Sequence, residues 1–363
     1  MPDAEAGAPA LLRRAQAGDS RAFDELAEAY RAELRAHCYR ILGSVHDAED
    51  ALQDAMLRAW KGLPGFGGRG TVRAWLYAIA TNTALDISKH RSRRELPMEF
   101  GPSAGLGAAL EPHATELPWL EPYPDQWLTP EALGQAATAP EARYEQRESV
   151  ELAFIVALQR LPPMQRAVLL LREVVGFSTV EISAQLGTSP QSVNSALQRA
   201  RASVRDRKPE PSQQATLARL GEQRIAAIAR QYADAIESGD VDTLISMLTQ
   251  DASWSMPPTP TWFRGRAAVR DFLVRYPLRE TWRHRVTSAN GQPAVAGYLF
   301  DPDRRVFVPW VIDVLTFEGE SISAVTAFFT AEGLGPAGGG RAQGGWVPGA
   351  EYFPRFGLPA SVS

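Results

Sequence analysis

A single cysteine, Cys38, in 363 residues leaves no internal disulfide available. That usage fits a reducing compartment, and Cys38, set in a helical pattern, reads as a packing residue. No apolar run approaches the roughly 18–20 residues that cross a bilayer. The opening "MPDAEAGAPALLRRAQAGD" carries acids where a signal peptide carries lysines. A cytoplasmic protein with no membrane partner is therefore expected. No His/Cys/Asp/Glu cluster has zinc spacing and no glycine loop cradles phosphate, so neither metal nor cofactor is expected. An excess of positive charge is also missing: 38 Lys and Arg stand against 42 Asp and Glu, a net charge of −4. Taken whole, that balance argues against nucleic acid as a partner.

What is present is positive charge in local runs, "KHRSRR" from Lys89 to Arg94 and a second set from Arg199 to Lys208. Composition divides the chain into a helical domain (residues 11–94), an extended Pro/Gly/acid-rich linker (95–140), a second helical domain (141–208), an α+β domain (213–330) and a flexible tail (331–363). In the second helical domain, Ser178 is placed to cap a helix whose inward side is Val180, Ile182 and Leu186, and Gly187 ends it. Ser189-Pro190 starts the next helix. There Val193, Leu197, Ala200 and Val204 form one buried stripe. The opposite side carries Gln191, Ser192, Asn194, Ser195, Gln198, Arg199 and Arg201. Amides and hydroxyls of this kind read base edges while arginines hold phosphates. A plain helical hairpin with a solvated polar face fits the same pattern.

In the first domain, "HDAEDALQDAMLRAW" buries Leu52, Ala55, Met56 and Ala59 and turns Asp47, Asp50, Asp54 and Arg58 outward. The segment "GRGTVRAWLYAIATNTALDISKHRSRR" packs Val72, Trp75, Leu76 and Ile79 and leaves Asn82, Asp86, Lys89, Arg91, Arg93 and Arg94 as a polar, then basic, end.

These segments, in this order, with "LPPMQRAVLLLREVVGFSTVEISAQLGTSPQSVNSALQRAR" after them, resemble a bacterial extracytoplasmic-function sigma factor over roughly the first two hundred residues. The resemblance implies two all-α sigma domains, the second a helix-turn-helix. The implied partners are core RNA polymerase, through its clamp helices and flap, and promoter DNA. It further implies polymerase docking by Asp47, Asp50, Asp54 and Arg58. Contacts to the melted −10 element would come from Arg69 and the Asn82–Arg94 set, with a flipped base held by "GFGGRGT". The −35 element would be read by Ser189, Gln191, Ser192, Asn194, Ser195, Gln198, Arg199 and Arg201. Where family members often carry Lys or Arg, this chain has Asn194 and Ala196, which implies two fewer phosphate contacts and more dependence on tethering. The linker acids Glu111, Glu116, Glu121, Asp125 and Glu131 are open to two readings, mimicry of nucleic acid or plain spacer.

From Ile225 the chain resembles a SnoaL-like, NTF2-type α+β cone, with Asn290-Gly291 as a hairpin turn. Trp254, Met256, Trp262, His284, Trp310 and Asp313 are its candidate pocket lining, for an unknown small ligand. Some cones of this type use an Asp/His pair as general acid and base, which would cast Asp313 and His284 in those roles. The fold alone does not establish such chemistry, and no enzyme is expected. The resemblance also implies that the appended domain regulates initiation. The tail "EYFPRFGLP" reads either as a latch onto the body or as a disordered end. Two other functions compete, a one-component ligand-responsive regulator and a SnoaL-like isomerase or cyclase. The first leaves the N-terminal helical domain unexplained.

Overall fold

The computed structural model describes residues 3–68, 70–128, 147–205, 211–330 and 349–363. They form two compact units, Met1–Arg93 with Trp127–Lys208, and Arg94–Gln126 with Pro209–Ser363.

The first unit is helical: α1 (Asp3–Gln16), α2 (Ser20–Leu42), α3 (Val45–Gly62) and α4 (Val72–Lys89), then α5 (Leu152–Gln159), α6 (Pro163–Glu173), α7 (Thr179–Gln185) and α8 (Pro190–Arg205). Helix starts are set locally. Asp19, Ser44 and Thr71 accept hydrogen bonds from the backbone N–H groups of Ala22, Asp47 and Ala74.

The α1–α4 and α5–α8 bundles of this unit meet along a polar seam. Arg40, 2% exposed, donates to the carbonyl of Ser149 at 3.2 Å and to its hydroxyl at 2.6 Å. Arg166 is also buried; it donates to the carbonyls of Leu158, Gln159 and Leu161, tying off α5, and to the Ile41 carbonyl across the seam. Burial lowers its pKa to about 10, which leaves it charged at neutral pH. Arg73, paired with Glu33 at 3.1 Å, reaches the Val175 carbonyl, and Tyr77 meets Phe177 edge-on at 5.5 Å.

The second unit places α9 (Gln213–Leu220), α10 (Glu222–Ser238) and α11 (Val241–Met247) before a six-stranded sheet. Its strands are β1 (Leu248–Met256), β2 (Thr259–Arg264), β3 (Trp282–Ala289), β4 (Gln292–Asp301), β5 (Val306–Glu318) and β6 (Ser321–Phe329), with α12 (Arg266–Arg275) between β2 and β3. The sheet order is β2-β1-β6-β5-β4-β3. All pairs are antiparallel except β1 with β6. Tyr232, Trp254, Phe263, Phe272 and Leu315 centre its core. Asn290 and Gly291 both take positive φ, 56° and 69°, as a two-residue hairpin turn requires.

Parts of the 95–140 linker and of the tail belong to this unit. Of the 95–140 linker, residues up to 126 pack on the cone. Trp119, Leu120 and Tyr123 are at most 1% exposed, and the Trp119 indole N–H is satisfied by the Ala114 carbonyl at 2.6 Å. Aromatic burial of this size outweighs the cost of ordering the segment. Backbone N–H groups of Ala104, Gly107, Glu111 and Ala114 donate to Trp262 O, Asp271 Oδ2, Thr261 Oγ1 and Pro258 O. Tyr123 exchanges hydrogen bonds with Asn290, and Asp125 accepts from Gly291 N–H at 2.7 Å. Of the tail, residues 349–363 also pack down. Phe353 is fully buried against Tyr298 at 4.9 Å, and Phe307 and Val362 pair as an isolated bridge. The latch reading describes this part of the tail; its glycine-rich stretch lies outside the described residues.

Candidate nucleic-acid interface and cavity

Helix α7 begins with a complete capping box, in which Ser178 Oγ accepts from Glu181 N–H and the Glu181 carboxylate accepts from Ser178 N–H at 2.8 Å. Gly187, at φ 60°, lies just beyond its end. Ser189 then accepts from Ser192 N–H at 3.1 Å and opens α8. The expected stripe of α8 is buried throughout: Val193, Leu197, Ala200 and Val204 are all at or below 8% exposure. Opposite it, Ser189, Gln191, Ser192, Asn194, Gln198, Arg199 and Arg201 are exposed and Ser195 is half-buried. Arg201 is paired with Glu173 at 2.5 Å.

Two expectations for this motif need correction. Val180 is 69% exposed, because the short α7 turns Ile182 and Ser183 inward instead. Ala196 is 6% exposed and lies beside the buried stripe, so a long cation there would point into the bundle. Of the two family positions noted, only Asn194, within 3.3 Å of Thr179 Oγ1, faces outward.

On α3, Asp50, Asp54 and Arg58 are exposed, and the apolar Leu57, 58% exposed, stands among them. Asp47 is 1% exposed and is no surface residue. Its helical phase is right, but the chain after α4 returns over the first turn of α3 and sets the Arg91 guanidinium 2.8 Å from Asp47 Oδ1. Arg91 is therefore already paired. Arg94 is committed too, to the Trp119 carbonyl at 2.8 Å and to Glu121 at 3.4 Å. Lys89 and Arg93 are exposed, as is Asp86, whose carboxyl the Lys89 ammonium and then the Arg58 guanidinium hold below the usual carboxylate range. Asn82 is exposed and donates to the Gln185 carbonyl at the end of α7. Val72, Trp75 and Ile79 are half-buried, with only Leu76 of that set fully buried. Trp75 lies against Phe66 of the glycine loop, with ring centroids 5.0 Å apart and planes tilted by 41°. Arg69 and Glu131 lie outside the described residues. Of the linker acids, Glu121 and Asp125 are held by Arg94 and Gly291, and Glu111 meets Thr261, which leaves Glu116 exposed.

The cone contains a cavity of about 270 Å³. Trp254, Met256, His284, Trp310 and Asp313 line it as expected. Trp262 does not, because β2 turns its indole toward the linker, where it donates to the Gly101 carbonyl at 2.9 Å. Asp313 Oδ2 accepts from the buried Tyr232 hydroxyl at 2.8 Å, and burial raises the Asp313 pKa to about 6. His284 packs against Gly297, where a methyl group would meet Val311 at 2.9 Å and the imidazole at 3.3 Å; the missing side chain makes room for the ring. Its Nδ1 is 3.6 Å from Glu237 Oε1, beyond hydrogen-bond reach. No hydrogen bond joins His284 to Asp313 among the described residues. Sequence reasoning missed Tyr232 and Leu110 as parts of this site; Tyr232 sits in an ordinary amphipathic helix and Leu110 in a segment with linker composition.

Among the described residues, no group of three His, Cys, Asp or Glu is placed to hold a metal ion, and no helix is long and apolar enough to cross a membrane.

Comparison with known proteins follows the same order along the chain. Family profiles for Sigma-70 region 2, Sigma-70 region 4 and a SnoaL-like domain match residues 26–94, 151–204 and 229–325. The chain is similar to the ECF RNA polymerase sigma factor SigG of Mycobacterium tuberculosis, at 38% identity over 94% of this chain and 85% of the relative. It is also similar to SigJ of that organism, at 30% identity over 69% of this chain and 70% of the relative. The crystal structure of the extracytoplasmic function sigma factor SigJ matches with a TM-score of 0.53 at 25% identity, covering 87% of this chain and 98% of that one.

Proposed function

The chain belongs to the extracytoplasmic-function RNA polymerase sigma factors, and we propose how its surfaces divide the work of that family. The exposed face of α3, with Asp50, Asp54, Leu57 and Arg58, docks on core polymerase. Asn82, Asp86, Lys89, Arg93 and the loop from Phe66 to Thr71 take the melted −10 element. The outward face of α8, from Ser189 to Arg201, reads the −35 element in the major groove. The observation that carries this reading is that α8 offers exposed amides, hydroxyls and arginines, with Ser195 half-buried among them, over a buried stripe. That is the arrangement a groove-reading helix needs.

Two promoter elements about two duplex turns apart, roughly 70 Å, cannot both be reached while the helical bundles stay packed along their seam. The seam, which engages Asn82 with Gln185, is thus a resting state that opens on polymerase. The cone, which grips residues 94–126, is a built-in regulator rather than an enzyme. Its Asp313 is engaged by the buried Tyr232 hydroxyl at 2.8 Å.

The test is transcription in vitro with core polymerase, the full chain, a version ending after Lys208, and the double variant Asp50→Arg/Asp54→Arg. Transcripts are expected from the full chain, with altered output from the shortened one. The double variant is expected to lose core binding by about tenfold or more with its helix content unchanged. Unchanged core binding would remove the α3 assignment, and equal output from both lengths would remove the regulatory one.

A further inference from the structure

The cavity is not closed by the cone alone. Leu110, from the linker, forms part of its wall. The mouth residue Arg275 joins the two: its guanidinium lines the cavity, pairs with Asp271 at 2.6 Å and donates to the Ala108 carbonyl at 2.9 Å. Asp271 in turn accepts from the Gly107 N–H at 2.9 Å. Residues 107 and 108 therefore rest on Arg275, which lines the cavity, and on its partner Asp271. Apart from Arg279 and Glu280, the rest of the wall is largely aromatic and aliphatic, with Trp254, Phe272, Trp282, Trp310 and Phe329. At its buried end stand Asp313 and His284, 4% and 6% exposed, with His284 Nδ1 3.6 Å from Glu237 Oε1.

We propose that this cavity binds an uncharged, mainly apolar ring compound bearing one hydroxyl group, and that the bound compound holds the linker against the cone. The ring would pack on the tryptophans and on Leu110, with its hydroxyl at Asp313 and His284. A charged guest is disfavoured at that end by desolvation. Because Leu110 supplies part of the contact, the guest binds the docked-linker state more tightly than the undocked one. By linkage it must then stabilise docking to the same degree. This coupling goes beyond the assignment of promoter and polymerase surfaces and does not require it; only its effect on initiation rests on the regulatory reading.

The experiment uses the full chain and 2-naphthol as probe. Its fluorescence follows binding, and amide hydrogen exchange of residues 104–114 follows linker docking. Saturable binding is expected, with exchange in 104–114 slowed about fivefold or more at saturation. Leu110→Ala should weaken binding by a similar factor. Leu110→Trp, which fills the cavity from the linker side, should abolish binding while leaving 104–114 as protected as in the free protein. Absence of saturable binding overturns the site. Binding that leaves exchange in 104–114 unchanged, or is indifferent to Leu110→Ala, overturns the coupling. If both hold but 2-naphthol leaves transcription unaltered, the cavity and its coupling stand and the regulatory reading fails.

Discussion

The helical unit joins its two bundles with guanidinium-to-carbonyl hydrogen bonds, from Arg40 and Arg166, whereas the cone closes its linker and tail with Trp119, Tyr123 and Phe353. The difference is one of reversibility. Each hydrogen bond that a guanidinium makes at the seam can be exchanged for water at a net cost of about 1.5–3 kcal/mol. Uncovering a buried aromatic costs more, about 3–5 kcal/mol. On the reading proposed above, the unit whose bundles part to span a promoter is joined largely by exchangeable contacts, and the unit that stores the linker largely by apolar ones.

The largest effect that would test this contrast is expected from Arg166→Ala. Loss of the guanidinium leaves the carbonyls of Leu158, Gln159 and Leu161 without their donor, at a cost of about 3–5 kcal/mol. Region-resolved hydrogen exchange should show the loss confined to the helical unit, with the cone unchanged.

The two units should also respond oppositely to acid. His37, fully buried within 2.8 Å of Thr81, has a pKa lowered to about 3 by burial and then by Arg40. Below the ordinary 6.5 the unfolded chain gains a proton there that the folded one excludes, so the helical unit loses stability as pH falls from 6.5 toward 3. Asp313, raised to about 6, does the reverse. Between 3.8 and 6 the folded cone keeps a proton that the unfolded chain releases, so this residue's contribution grows as pH falls through that window. Denaturation at pH 7 and pH 4.5, followed unit by unit, should show each slope. His37→Gln should flatten the first and Asp313→Asn the second; a slope that survives its own substitution would erase the contrast at that residue.

The smallest effect concerns a single cap. Ser178→Ala should cost about 1 kcal/mol and raise exchange at the start of α7 alone.

Features fixed by near neighbours were legible in the sequence. The α8 stripe, the capping of α7 and the Asn290-Gly291 turn all follow from spacing or turn chemistry within a few residues, while the cavity residues Trp254, Met256, His284, Trp310 and Asp313 came from the resemblance to a SnoaL-like cone. What was not legible depends on distant partners. Asp47 has the phase of an exposed residue and is buried because Arg91, in a segment beyond the next helix, covers it. Trp262 faces Gly101 and Arg94 faces Trp119 and Glu121, contacts no local period encodes. The linker misled most, since proline, glycine and acids suggest solvation while Trp119 and Tyr123 mark a surface that needs a receptor.

That receptor comes late. The hydrogen bond from Tyr123 to Asn290 spans 167 positions, and the one from Glu111 to Thr261 spans 150. On the ribosome both bundles emerge before the strands that receive the linker exist, and domains fold largely in order of synthesis. Every newly made molecule therefore passes through an interval, about the time needed to translate the cone, in which its linker is free. The stored state has to be acquired afresh by each chain as its last strands fold.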